Sequence, residues 1–111
     1  MKALDRRGIV GELASRLFQS PLERDRSFYR RYRELSGVID EAPDALVAYT
    51  LRGELNLERG EYERARTDFG TAVELADALD EDQGWHLIEQ VMRDRALYGL
   101  EVAREALRVA R

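Results

Sequence analysis

Residues 49–76 read YTLRGELNLERGEYERARTDFGTAVELA, and this stretch predicts a hairpin of two helices. Small and apolar residues recur every three or four positions on both sides of Arg59-Gly60, which is the spacing of one helix face. Gly60 suits the end of a helix or a tight turn. In the second arm the small and apolar residues share one face: Tyr62, Ala65, Phe69, Ala72, Val73 and Ala76. The alanines on that face would let a partner helix approach closely.

The composition favours a single all-helical domain that covers residues 1–111. Charged residues make up 36% of the chain, only two residues are proline, and strong helix formers are abundant. The sequence contains no cysteine, which excludes disulfides and thiolate metal sites. No apolar run approaches the roughly 20 residues of a membrane span, and the charged N-terminus has no apolar run of secretory length. We therefore expect a soluble, cytoplasmic protein.

Start and stop signals divide the rest of the chain into further helices. Ser20-Pro21 is a strong start, because serine can cap a helix, proline suits its first position and Glu23 can complete a capping box. Pro43 then interrupts the helical pattern. The predicted helices cover about residues 3–18, 21–41, 44–58 and 61–79, with a further helix starting at the acidic run 80–83. Beyond that run, one long helix and a hairpin turning near Arg95 to Gly99 both remain open.

The chain also repeats itself with a period of 34 residues. The segments that begin at Val38, Ala72 and Ala106 share a pattern of small and apolar residues and lie 34 positions apart. The same offset relates Phe28 to Tyr62, and Leu35 to Phe69. A period of this length with two helices in each repeat is typical of helical solenoids, in which each hairpin buries its apolar face on the next.

These residues resemble the tetratricopeptide repeat (TPR) family. The resemblance is clearest in Tyr49-x-x-Arg52-Gly53 and Gly60-x-Tyr62-x-x-Ala65-x-x-x-Phe69-x-x-Ala72, with Pro43 at the boundary before the repeat. It implies an all-α fold, in which antiparallel hairpins stack as a short right-handed solenoid of about three repeats and five to six helices. The best repeat would cover about 44–79, flanked by degenerate repeats at about 3–43 and 80–111. Within the best repeat three positions depart from the family pattern: Arg52 replaces a leucine, Asn56 an aromatic residue, and Asp77 a closing proline.

The resemblance further implies a protein-binding module that holds a peptide or helix along its concave face. The family's inward-facing positions in the best repeat are Val47, Thr50, Leu51, Glu54, Leu57 and Glu58. The 34-residue shift adds Trp85, Ile88 and Met92, which gives a predicted groove of nine residues. This groove would be apolar with acidic edges, so we expect an apolar or basic segment of a partner protein. Thr50 and Glu54 are unsuited to holding a C-terminal carboxylate, which argues against a chaperone-binding role.

Two other classes of partner stay open. An uncapped apolar face of Ala96, Ala103, Leu107 and Ala110 predicts self-association as a homodimer, in which case the chain is a scaffold. The first 36 residues carry a local charge of about plus four within a chain of net charge −4. Residues 24–33 interleave arginines with aromatic residues, as a nucleic-acid-binding helix would. The acidic total charge makes nucleic acid the weaker alternative.

Catalytic chemistry has little support in the sequence. The single histidine, His86, has no second histidine with which to bind a metal or activate a serine. The sequence contains no glycine-rich phosphate loop, and none of its many carboxylates is marked out by an apolar setting. We therefore expect a non-enzymatic protein without catalytic residues, metal site or cofactor, which acts as an adaptor or scaffold.

Overall fold

The computed structural model describes residues 21–79 and 87–110, and this part of the chain is helical with short connections. The helices are α1 (Pro21–Glu41), α2 (Leu46–Glu58), α3 (Tyr62–Asp77) and α4 (Leu87–Val109). The bounds of α1, α2 and α3 agree with the predicted helices to within about two residues. The helix predicted over residues 3–18 lies outside the described residues, as do the capping serine Ser20 and the acidic run 80–83.

The chain divides into two compact units, residues 1–30 and 31–111, with the boundary inside α1. In the first unit the structure describes residues 21–30, which form the first turns of α1. The rings of Phe28 and Tyr29 meet there edge to face, with their centroids 5.1 Å apart. The second unit contains the rest of α1 together with α2, α3 and α4, and it holds the hydrophobic core.

The helices α2 and α3 form the predicted hairpin. Gly60 has a φ of +74°, in the left-handed region that a residue without a side chain adopts most easily. The amide of Glu61 reaches back to the carbonyl of Asn56 at 2.9 Å and closes the end of α2. This local geometry is what the Arg59-Gly60 pair predicted, and it turns the chain within three residues.

Phe69 is the centre of the core. Its side chain is fully buried, together with small residues of its own helix (Ala65, Ala72 and Ala76). Two glycines from other helices, Gly53 on α2 and Gly99 on α4, lie against its ring, so that a Cβ at Gly53 would stand only 2.8 Å from Cδ1. The absence of a side chain at these two glycines lets both helices pack closely around one aromatic ring.

The helix α4 decides between one long helix and a hairpin for residues 87–110, the described part of the region 80–111 that the sequence left open. It continues from Leu87 to Val109 without a turn near Gly99, so the predicted third repeat forms no helical hairpin within 87–110. Its buried residues are Ala96, Gly99, Leu100 and Ala103, which pack against α2 and α3. Gly99, at the end of the region where a hairpin turn remained open, is therefore a site of close packing against Phe69 and not a break.

Candidate binding groove

A groove runs between the second half of α1 and the outer face of α2. Its volume is about 480 Å³. Its apolar lining consists of Leu35 and Val38 from α1 and Leu51 and Leu55 from α2. The charged residues of the groove are Arg31, Glu34, Glu54 and Glu58. An apolar strip with three carboxylates and one guanidinium beside it is suited to an amphipathic segment that carries positive charge.

Three of the nine predicted groove residues line this groove: Leu51, Glu54 and Glu58. They occupy one face of α2 at helical spacing, and Val47, which is exposed, lies one turn before Leu51 on the same face. Leu51, Glu54 and Glu58, together with Leu55, form the α2 wall of the groove. The opposite wall of the groove comes from Leu35 and Val38, which the sequence analysis had assigned to the repeat pattern and not to a site.

Thr50 is a correction to the predicted groove. Its side chain is fully buried, and its hydroxyl donates a hydrogen bond of 2.9 Å to the carbonyl of Leu46 in the preceding turn. A threonine can satisfy its own hydroxyl in this way, so it enters a core without a partner from another helix. Thr50 is consequently not available to a ligand in this structure.

The remaining predicted groove residues do not lie together. Leu57 and Met92 pack against the core from α2 and α4. Ile88 is exposed at the beginning of α4 and is not part of the groove lining. Trp85 lies outside the described residues.

The predicted self-association face is also corrected in part. Ala96 and Ala103 are fully buried around Phe69, so they belong to the intramolecular core and not to a surface. Leu107 is half-buried and Ala110 is exposed. The buried alanines of this predicted face therefore pack against α2 and α3 of the same chain.

A polar cluster absent from the predicted site connects α1, α2 and α3. Arg52 donates two hydrogen bonds to Asp68, from Nε to Oδ2 at 2.9 Å and from Nη2 to Oδ1 at 2.8 Å. Its Nη1 donates to Ser36 Oγ of α1 at 3.0 Å. Asn56 Nδ2 also donates to Asp68 Oδ2, at 3.1 Å. We call Ser36, Arg52, Asn56 and Asp68 the Arg52 cluster.

The Arg52 cluster fixes the positions of the helices that form the groove. Asp68 and Asn56 are buried, and the guanidinium of Arg52 lies over the rings of Tyr32 and Tyr49, 5.5 and 5.9 Å from their centroids. The hydrogen bonds to Asp68 raise the pKa of Arg52 above its ordinary value, although burial opposes the shift. The charge is thus held in a bidentate pair that joins α2 to α3, while the bond to Ser36 joins α2 to α1.

The signal for this cluster was present in the sequence. Arg52 and Asn56 are two of the three departures from the TPR pattern, and both replace apolar residues. Asp68, one helix later, supplies the compensating carboxylate. Polar residues at two apolar positions of one helix, with an acidic residue on the helix predicted to pack against it, indicate a buried ion pair, because an unpaired charge there would be costly.

Glu54 connects the groove to α4. Arg95 donates from Nε to Glu54 Oε2 at 2.9 Å and from Nη2 to Glu54 Oε1. The hydrogen bonds to Glu54 raise the pKa of Arg95. Because one of the three groove carboxylates already has a guanidinium partner, Glu34 and Glu58 are the acidic side chains best placed to attract a basic ligand.

Other kinds of site find little support in the described residues. Tyr32, which the nucleic-acid alternative would use for stacking, already lies under Arg52. Within residues 21–79 and 87–110, no group of three or more histidine, cysteine, aspartate or glutamate side chains could hold a metal ion. None of the helices described is long and apolar enough to cross a membrane. His86 lies outside the described residues.

Comparison of the chain with protein-family models, with curated proteins and with solved structures gives no significant match.

Proposed function

We propose that this protein is a non-catalytic interaction module that binds an apolar, positively charged helix or peptide of a partner protein in the groove between α1 and α2. The observation that carries the proposal is the groove itself, with Leu35, Val38 and Leu51 in its lining and carboxylates beside them. In this proposal the α2–α3 hairpin is one TPR-like repeat of a short right-handed solenoid, and the partner is another cytoplasmic protein.

The exposure of Val38 supports this proposal. Val38 is 47% exposed although it is a large apolar residue, and it lies on the groove beside the half-buried Leu51. Exposed apolar side chains that line a shared concave surface mark interaction sites more often than isolated ones do. A helical ligand would place side chains at helical spacing against these residues, as amphipathic helices do in other apolar grooves.

The charge of the groove supports a basic ligand over an acidic one. Glu34 and Glu58 belong to different helices, so a ligand between them would have a carboxylate on either side of its apolar stripe. A lysine or arginine beside the apolar anchors of the ligand would pair with them. Such contacts at an exposed rim increase the association rate and the salt dependence more than they increase affinity.

Fluorescence anisotropy with two labelled amphipathic peptides tests the proposal. The first peptide combines leucine and lysine at helical spacing, and the second carries glutamate in place of lysine. We expect the lysine peptide to bind more tightly than the glutamate peptide. Val38→Glu should weaken this binding by about tenfold or more, since it puts a charge at an apolar anchor. Leu79→Glu is the matched control, because Leu79 is similarly exposed at 41% and lies outside the groove.

Equal binding of the two peptides, or equal affinity of the Val38 and Leu79 variants, would refute the proposal. A photo-crosslinking residue at position 38 can then identify the native partner. A specific crosslink to a partner segment that carries both apolar and basic residues is expected. Crosslinks confined to acidic segments, or to nucleic acid, would exclude the proposed ligand chemistry.

A further inference from the structure

A line of six residues along α4 repeats with alternating intervals of four and three positions. Its members are Val91, Arg95, Tyr98, Val102, Glu105 and Val109, and we call them the α4 seam. This is the heptad spacing of a helix that packs against another helix in a coiled coil. The seam is separate from the core stripe of α4, which consists of Ala96, Gly99, Leu100 and Ala103.

Three of the four apolar side chains of the seam are exposed, and the fourth, Val102, is half-buried. Tyr98 is 72% exposed, Val109 is 68% exposed and Val91 is 44% exposed. Tyr98, Val102 and Val109 also line a depression of about 700 Å³ that is completed by Tyr62 at the beginning of α3. Several exposed apolar residues in one row at coiled-coil spacing indicate a helix-packing surface, because isolated exposed apolar residues would show no such register.

When two copies of the seam run in opposite directions, each seam residue faces a residue of suitable chemistry on the second copy. If two copies of α4 pack in antiparallel orientation about a two-fold axis level with residue 100, Val91 meets Val109 of the second copy. In the same register Tyr98 meets Val102, and Arg95 meets Glu105. Each contact occurs twice by symmetry, and each joins an apolar residue to an apolar residue or a cation to an anion. A parallel arrangement would instead place Arg95 on Arg95 and Glu105 on Glu105.

We propose that the α4 seam binds a second copy of this chain and forms an antiparallel, two-fold symmetric homodimer. The charges at the seam permit this contact. Arg95 holds Glu54 through Nε and Nη2, which leaves Nη1 for a carboxylate of the second copy. Glu105 is exposed and accepts hydrogen bonds from Arg108 of its own helix, and each of its oxygens can accept a further one.

The expected affinity is moderate. The seam spans about 27 Å of helix, since its 18 steps rise about 1.5 Å each, and it presents few large side chains. Glu101 lies next to the two-fold axis, so the Glu101 side chains of the two copies come close together there. This like-charge contact weakens the dimer. Small interfaces of this kind are usually weak, and we expect a dissociation constant between about 1 and 100 μM.

Sedimentation of the full chain over a concentration series tests the association. The wild-type chain should change from monomer to dimer in the micromolar range. Tyr98→Glu should weaken the dimer by about tenfold or more, because it removes an aromatic residue twice per dimer. Tyr29→Glu is the matched control, since Tyr29 is also exposed and lies on α1. A wild-type chain that stays monomeric up to about 1 mM, or a Tyr98 variant that dimerises like the Tyr29 control, would overturn the proposal.

Charge exchange tests the register. Glu105→Arg should weaken the dimer by placing a cation opposite Arg95, and the double variant Arg95→Glu with Glu105→Arg should restore it. Glu74→Arg on α3 makes the same change of charge away from the seam and should leave the dimer unchanged. Failure of the double variant to recover, while circular dichroism shows its helices intact, would contradict the antiparallel register.

Engineered cysteines test the orientation, because the chain contains no cysteine of its own. A mixture of Val91→Cys and Val109→Cys chains should form a mixed disulfide under mild oxidation. Crosslinks of position 91 to position 91, and of 109 to 109, in place of the mixed product would indicate a parallel dimer and refute the proposed contact.

Discussion

Substitution of Gly99 by alanine should destabilise the protein, although alanine favours helices. A Cβ at residue 99 would lie 2.7 Å from Cε1 of Phe69 and closer still to Cζ, well inside the ordinary contact distance of carbon atoms. The ring cannot simply move away, because Gly53 confines it on another side, where a Cβ would stand 2.8 Å from Cδ1. Overpacking of this kind costs about 1–3 kcal/mol in a tight core.

The overlap at residue 99 involves three ring atoms of a fully buried side chain, so we place its cost at the upper end, about 3 kcal/mol. The higher helix propensity of alanine offsets about 1 kcal/mol of this cost. The net loss of about 2 kcal/mol should lower the melting temperature by roughly 10 °C in a domain of this size. Gly53→Ala should have the same sign and a smaller magnitude.

Thermal and urea unfolding followed by circular dichroism measure this difference. Gly70→Ala is the control, because Gly70 also lies within a helix and a Cβ there would meet nothing within 4 Å. It should stabilise the protein by about 0.5–1 kcal/mol. Combining Gly99→Ala with Phe69→Leu should cost less than the sum of the two single changes, since the smaller side chain relieves the overlap. If Gly99→Ala stabilised the protein as much as Gly70→Ala, that result would refute the close packing of Phe69 against Gly99 of α4.

Three further predictions concern the cluster, the turn and the surface. Asp68→Ala should cost about 2–4 kcal/mol in urea unfolding, because it leaves the guanidinium of Arg52 without its carboxylate, and Arg52→Leu in the same chain should recover part of the loss. The Arg52–Asp68 pair should keep its contribution to the free energy of unfolding as the pH rises from 7 to about 10. The raised pKa of Arg52 keeps the guanidinium charged throughout this range. Gly60→Ala should cost about 1 kcal/mol through its left-handed backbone, and an unchanged melting temperature would speak against that conformation. Glu63→Gln should change stability by less than about 0.5 kcal/mol, because its pair with Arg66 is exposed; a larger loss would mean that this pair is part of a wider network.

The helices α1, α2 and α3 and their approximate ends could be predicted because each has a local signal. Gly60 set the end of α2, Pro21 and Pro43 lie next to the ends of α1, and the alanines of α3 mark its buried face. These signals depend on neighbours in the chain, so one sequence is enough to read them. The continuity of α4 could not be predicted, because Gly99 has the same residue type whether it ends a helix or accommodates the ring of Phe69.

The candidate groove could be predicted only in part, for physical reasons that differ between residues. Leu51, Glu54 and Glu58 follow helix periodicity, and they share one face of α2 beside the groove. The resemblance to the TPR family places Thr50 in the groove, but a threonine whose hydroxyl bonds within its own helix can be buried. Ala96 was assigned to an open face because the sequence does not show which helices cover it.

Phe69 also determines how these helices separate. Its ring touches the glycine of α2 and the glycine of α4 at once, so α4 cannot leave the hairpin without exposing the residue that holds α2 and α3 together. Opening of any one of the three helices therefore requires opening of the others, and their most protected amides should exchange with solvent hydrogen at one common rate that reports global unfolding. The terminal turns of α2, α3 and α4 should exchange earlier by local fraying.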